Sequence, residues 1–202
     1  IGLPYKIIGG TRFYERLEIK DSLAYLRVVN SKNDDLAFER IINTPKRGIG
    51  SKTIQTIEQY ARKTEVPVQE AARLLIQTDE INSKSKSTLK VLFSCIDSWR
   101  EKKETLEASE LTKIILDESG YTEMWQKDKS PDSPGRLENL KELITAISSF
   151  DTIRGFVEHI QLVMDNDSNK EVVSVNIMTL HAAKGLEFNY VFLPGWEEDI
   201  FP

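Results

Sequence analysis

The sequence predicts a mainly α-helical fold set between short strands, as a helical insertion in an α/β domain whose sheet lies mostly elsewhere. Two observations predict it. From Glu15 to Met164 apolar residues recur at i, i+3 and i+4, the period of an amphipathic helix. Outside that block the spacing changes: "YKII" precedes a glycine pair, and Val173, Val175 and Ile177 alternate with Ser174 and Asn176.

In chain order, Tyr5, Ile7 and Ile8 suit a short strand running into a joint at Gly9-Gly10. Ile19, Leu23, Leu26 and Val29 mark a first helix. Asp34 or Asp35 can cap a second, which runs through Ile42 until Thr44-Pro45 stops it, since a residue before proline is pushed out of the α region. Ser51 can cap a third, with Ile54, Ile57 and Ala61 on one side, and Pro67 suits the first turn of a fourth, to about Ile76. Leu89, Leu92, Phe93, Ile96 and Trp99 mark a long helix. Another is expected from a Ser109 cap to a Gly120 stop, carrying Leu111, Ile114 and Ile115. "SPDSPG" (130–135) reads as a loop, Leu137–Ser149 and Ile153–Met164 as helices, and "DNDSNK" (165–170) as a polar link. "YVFLP" (190–194) supplies a further strand after a loop.

Composition narrows the function classes. A chain of 202 residues can form one core, or one domain and part of another. Its net charge of −5 argues against coating nucleic acid over the whole surface, so any polyanion contact must be local. No apolar run approaches the roughly 20 residues of a membrane span, and no membrane partner is expected. Cys95 is the single cysteine, which excludes a disulfide framework and a thiolate zinc site. In line with Leu92, Ile96 and Trp99 it is expected to be a buried structural thiol in a reducing, cytoplasmic setting. The chain starts at Ile1 and stops at Pro202 just after a strand-like run, and is expected to be a piece of something longer.

Two stretches have the residue types for ligand chemistry. In "TPKRGIGSKT" (44–53) a Gly-Ile-Gly turn lets backbone approach a ligand without a Cβ in the way, and a helix beginning near Ser51 offers open N–H groups. Lys46, Arg47 and Lys52 add cationic donors, so the turn is either a phosphate grip or an ordinary capped helix junction. In "VNIMTLHAAKGLEFNYVFLP" (175–194) a strand ends in a loop bearing Thr179, His181, Lys184, Gly185 and Glu187, where open α/β sheets place ligands. An ordinary connection between two elements is the alternative there.

Other patterns lead nowhere. "KIILDESG" (113–120) imitates a Walker B strand, but no G-x-x-x-x-G-K-[ST] exists for its acids to serve, so Asp117 and Glu118 are read as a solvated helix end. His159 has no partner at metal spacing, and Trp99, Trp125 and Trp196 are too scattered to form a base-stacking platform. No catalytic residue and no metal ligand is assigned.

Three blocks, "PYKIIGGTRFYERLEIKDSLAYLR", "DDLAFERIINTPKRGIG" and "VNIMTLHAAKGLEFNYVFLPGWEEDIFP", together resemble the superfamily 1A DNA helicases of the UvrD, PcrA and Rep type. They occur in that family's order and the likeness covers the whole chain. One departure is Trp196-Glu197-Glu198-Asp199 ahead of Ile200-Phe201-Pro202, where the family usually has Met-Glu-Glu-Gly before Phe-Pro.

The resemblance implies that 1–10 and 171–202 are pieces of the RecA-like domain 2A, and that 11–170 is the inserted helical subdomain 2B. It implies swivel points near Gly9-Gly10 and Asp165–Glu171. Duplex contact falls on Thr44, Lys46, Arg47, Gly48, Ile49, Gly50, Ser51 and Lys52. The last block resembles motif V, with Thr179 and His181 near single-stranded DNA, and Gly185 and Glu187 near the nucleotide. The implied parent is an ATP-dependent 3′–5′ DNA helicase of repair or replication that uses ATP and Mg²⁺. This piece lacks Walker A, Walker B and motif VI, so it is expected to be catalytically inactive alone and to bind neither cofactor. Its expected partners are DNA, the remaining helicase domains of the parent and repair proteins. The competing reading is a protein-interaction or autoregulatory helical module with incidental DNA contact.

Overall fold

The computed structural model describes residues 5–8, 11–168, 175–178 and 180–194. After β1 (Tyr5–Ile8) the chain forms α1 (Thr11–Glu15), α2 (Leu17–Asn30), α3 (Asp35–Ile41), α4 (Ser51–Thr64) and α5 (Val68–Leu75). Then follow α6 (Ser83–Lys102), α7 (Ala108–Glu118), α8 (Tyr121–Lys127), α9 (Ser133–Ile147) and α10 (Ile153–Ser168). β2 (Val175–Met178) and α11 (Leu180–Ala183) close the described chain. The molecule is mainly helical, as the 3.6-residue period predicts.

α2 is the axis of the helical block. Its Ile19, Leu23, Ala24, Tyr25, Leu26, Val28 and Val29 are all buried, so it is covered nearly all round by α3, α6, α7, α9 and α10. Two acids on it are buried as well. Asp21 accepts from Arg40 Nε at 2.6 Å and from the Tyr121 hydroxyl at 2.8 Å. Glu18 accepts from Asn139 Nδ2 at 2.6 Å, and Arg136 stands 3.8 Å away. These acids tie α2 to α3, α8 and α9 through groups that burial would otherwise leave unsatisfied. Burial also pushes the Tyr121 hydroxyl pKa far up, with Asp21 adding to it, so the phenol keeps its proton as donor.

β1 and β2 pair in parallel, Tyr5 opposite Val175 and Ile8 opposite Met178. The strands on either side of the helical block are therefore immediate neighbours. No helix among the described residues is long and apolar enough to cross a membrane.

Several boundaries differ from the sequence expectation. Gly50, not Ser51, is the N-cap of α4, with extended backbone (φ −76°, ψ 160°), because burial of Ile49 fixes the chain one residue earlier. Glu107, not Ser109, is the N-cap of α7, whose first turn buries Ala108. Asp34 does cap α3, accepting from the Ala37 N–H at 3.1 Å. α8 was not expected, since Gly120 (φ +78°) ends α7 yet leads straight into a new helix that buries Tyr121 and Trp125. "SPDSPG" is only partly a loop, because Ser133 and Pro134 already open α9, where proline fits the first turn. α10 continues through Asp165–Ser168, the first part of the expected link; residues 169–170 lie outside the described residues.

"YVFLP" is not a strand. No described strand lies beside it to complete a ladder, and Tyr190 and Phe192 are both 87% exposed. Cys95 is half-buried at the edge of its stripe rather than fully inside, and burial raises its thiol pKa, which lowers its thiolate fraction.

Candidate nucleic-acid interface

The segment between α3 and α4 is built around one apolar anchor. Ile49 is 1% exposed and packs into the core, while Gly48 and Gly50 on either side stay at the surface. Gly48 has φ +74°, a conformation that favours glycine, and a Cβ on Gly50 would meet nothing within 4 Å. The turn thus offers bare backbone outward and is held by a side chain that points inward.

Around this anchor the predicted residues divide. Thr44 is half-buried, and its carbonyl accepts from the Tyr25 hydroxyl. Lys46, Ser51 and Lys52 are exposed, Ser51 and Lys52 in the first turn of α4. No side chain caps that helix end, so its partial positive charge faces the surface beside the two lysines. Arg47 turns inward. Its guanidinium donates to the carbonyls of Ile41 (2.7 Å), Pro45 (3.3 Å) and Ser119 (3.1 Å) and to the Tyr25 hydroxyl (2.5 Å).

A further cation reaches the turn from elsewhere in the chain. Lys84, in the first turn of α6, places its ammonium 3.8 Å from where a Cβ on Gly48 would stand. A hydrogen bond between the Thr53 and Ser85 hydroxyls (3.3 Å, both buried) ties the start of α4 to the start of α6. Lys84 is exposed and pairs with no carboxylate among the described residues, whereas Lys86 nearby bonds Asp79 at 3.0 Å. Sequence reasoning missed Lys84 because it lies far from the turn in the chain. The cue present was a lysine just after Asn82, which caps α6 by accepting from the Ser85 N–H at 2.8 Å.

The second predicted site is described in part. β2 leads into α11, and Gly185 just beyond has φ +82°. Lys184 and Glu187 are exposed. Thr179 lies outside the described residues, and of His181 only the backbone, in α11, is described. The 44–52 and 179–187 groups belong to the helical block and to the strand side respectively.

Glu118 is at an exposed helix end; burial acts to raise its pKa, but hydrogen bonds from Trp99 and Lys102 outweigh it and hold the carboxyl low. Trp99 and Trp125 are core residues. His159 is exposed with its ring against Phe150, and no group of three His, Cys, Asp or Glu residues among the described residues forms a metal cluster.

The UvrD-like helicase C-terminal domain model matches residues 1–202. A probable DNA helicase II homolog of Rickettsia conorii is 49% identical over 202 residues, covering 99% of this chain and 31% of that protein. DNA helicase II of Escherichia coli is 37% identical over 210 residues, with 99% of this chain and 29% of that protein covered. ATP-dependent DNA helicase PcrA of Bacillus subtilis is 40% identical over 216 residues, 100% of this chain and 29% of its own length. The chain therefore spans less than a third of each of these relatives. With the family model matching from the first residue to the last, the chain belongs to the UvrD-like helicase C-terminal domain family, among superfamily 1 helicases of the UvrD and PcrA type.

Proposed function

We propose that the helical block, 11–170, is the 2B subdomain of an ATP-dependent 3′–5′ DNA helicase of repair or replication, and that it grips the duplex backbone. Residues 1–10 and 171–202 are then parts of the RecA-like domain 2A, a reading supported by the parallel pairing of β1 with β2. One observation carries the duplex grip. The uncapped start of α4, the bare backbone of Gly48 and Gly50 and the exposed Lys46 and Lys52 share one turn, and Lys84 brings its ammonium beside Gly48. Phosphate is the ligand that such a set of N–H donors and point charges fits, and contacts of this kind position a protein on DNA without reading its bases.

The test is a titration of a short duplex at low salt and then at stepped salt concentrations. Binding is expected to be weak and sequence-independent, with a log–log salt slope of about −2 to −4. Lys46→Ala, Lys52→Ala and Lys84→Ala should each reduce that slope by about 1. Unchanged slope and affinity in all three variants would remove the turn from the DNA site. Capture of a repair protein without any duplex binding would favour the interaction-module reading instead.

On the strand side, Thr179 and His181 are proposed to lie near single-stranded DNA, and Gly185 and Glu187 near the nucleotide. The exposed Glu187 carboxylate suits a sugar hydroxyl donor, so these residues fit the edge of an ATP site. They offer no glycine-rich cradle for the phosphates, and Mg²⁺ and the groups for phosphoryl transfer belong to the parent helicase. ATP turnover by the 202-residue chain is accordingly expected to stay at buffer background in a coupled assay. Turnover above background that survives repurification would overturn the inactivity of the chain alone.

A further inference from the structure

Arg47 sits beside the exposed turn, yet its guanidinium faces the other way. Four of the five N–H groups a guanidinium carries are engaged: Nη1 on the carbonyls of Ile41 and Pro45, Nη2 on the Ser119 carbonyl and the Tyr25 hydroxyl. Ile41 is the last residue of α3, and Ser119 is the C-cap of α7. Both carbonyls are therefore helix-end acceptors, which lack an intrahelical donor and favour a cation. One side chain thus bonds the ends of two helices, the Ile41 carbonyl also accepting from the Thr44 N–H at 3.1 Å.

The brace extends through Tyr25. That residue is fully buried, with its ring 6.1 Å from those of Trp99 and Tyr121. Its hydroxyl accepts from Arg47 and donates to the Thr44 carbonyl. Burial raises its pKa, while Arg47 opposes the shift, so the proton needed for that donation is retained. The Arg47 backbone N–H is held too, by Asn43 Oδ1 at 2.8 Å. Swinging the guanidinium out to a phosphate would leave the Ser119 carbonyl without a donor, the Ile41 carbonyl with the Thr44 N–H alone (3.1 Å), and the Tyr25 hydroxyl without the donor it accepts from.

We propose that Arg47 is a positioning residue for the duplex-contacting turn. It pegs 44–47 to α2 and to the α7–α8 junction, so that Gly48–Lys52 meet the phosphates in a fixed arrangement, and it does not itself touch DNA. This rests on the duplex reading given above. A planar fork is required, because a lysine keeps the charge but carries its donors on one nitrogen, which cannot span the acceptors that Nη1 and Nη2 meet separately.

The experiment compares Arg47→Lys, Arg47→Ala and Tyr25→Phe with the parent chain. Duplex affinity is measured at low salt and 25 °C, together with amide hydrogen exchange over 44–52 and thermal melting. Arg47→Lys is expected to lose about tenfold in affinity, close to the loss in Arg47→Ala, and to exchange faster over the turn. Tyr25→Phe, which alters no charge and lies inside the core, should weaken binding in the same direction and keeps the test usable if Arg47→Ala does not fold. Parent-like binding by Arg47→Lys, with a salt slope reduced by about 1 only in Arg47→Ala, would make Arg47 a phosphate contact and overturn the proposal. Lower melting temperatures with unchanged affinity and unchanged exchange over the turn would also overturn it, leaving Arg47 a stability residue. If the Lys46→Ala/Lys52→Ala/Lys84→Ala triple variant binds as the parent does, the duplex reading itself fails and the proposal falls with it.

Discussion

Replacing Asp21 by alanine is expected to destabilise the helical block by about 3 kcal/mol, because the change takes the acceptor from two partners at once, one of them fully buried. Arg40 loses the acceptor at 2.6 Å, and the Tyr121 hydroxyl loses its acceptor at 2.8 Å. Arg40 is 35% exposed and can turn partly toward water. Tyr121 cannot: it is fully buried, and its one alternative is the Glu18 carbonyl at 3.4 Å. A loss of this size is a large share of a typical domain's stability. Urea unfolding followed by tryptophan fluorescence measures it, since Trp99 and Trp125 are both buried. Asp21→Asn keeps an acceptor of the same shape and should cost less than the alanine change. A shift under about 1 kcal/mol for Asp21→Ala would show that α3 and α8 are held to α2 by apolar packing alone.

Ile49→Ala is the second large effect, and it acts on stability and binding together. The side chain is almost wholly buried, and truncating such a residue costs about 2–5 kcal/mol. Part of that loss should be recovered by collapse, because the turn lies at the edge of the core, so a value near the lower end is expected. Binding should suffer more than stability. Ile49 is what keeps Gly48 and Gly50 outward, and an unanchored turn presents its N–H groups in many arrangements. Duplex titration of the folded variant is expected to show affinity lower than for any single lysine variant. If affinity stays at the parent level while stability falls, the turn keeps its shape without its anchor, and the brace of Arg47 and Tyr25 suffices alone.

How much of this was legible in the sequence depends on whether a signal was local. The buried stripe Leu89, Leu92, Phe93, Ile96 and Trp99 was readable because one helix carries it whole. So was the Asp34 cap, a hydrogen bond over three residues. α8 was not, since seven residues between Gly120 and "DKSP" carry too few apolar positions to show a period, and only burial of Tyr121 and Trp125 sustains the helix. The strand reading of "YVFLP" failed for the opposite reason: residue preference was right, but a strand exists only with a neighbour.

At the candidate interface the turn itself was legible and its cations were not. Three basic residues, Lys46, Arg47 and Lys52, are equivalent on paper. The structure separates them through acceptors contributed by α2 and by the α7–α8 junction, and it adds Lys84 from the start of α6. Residue type told which groups could meet an anion. Which of them face outward is decided by helix ends that the chain brings together from well beyond the turn.

The parallel pairing of β1 with β2 has a consequence for engineering. Parallel neighbours cannot be joined by a hairpin, because the chain must travel back along the strand before it can start the next one, which takes about a dozen residues or more. In topological terms the entire helical block is therefore an overgrown crossover between Ile8 and Val175. A deletion that closes the gap with a tight turn would reverse one strand. A short amphipathic helix with loops at both ends is the smallest replacement that preserves the register of Tyr5 on Val175.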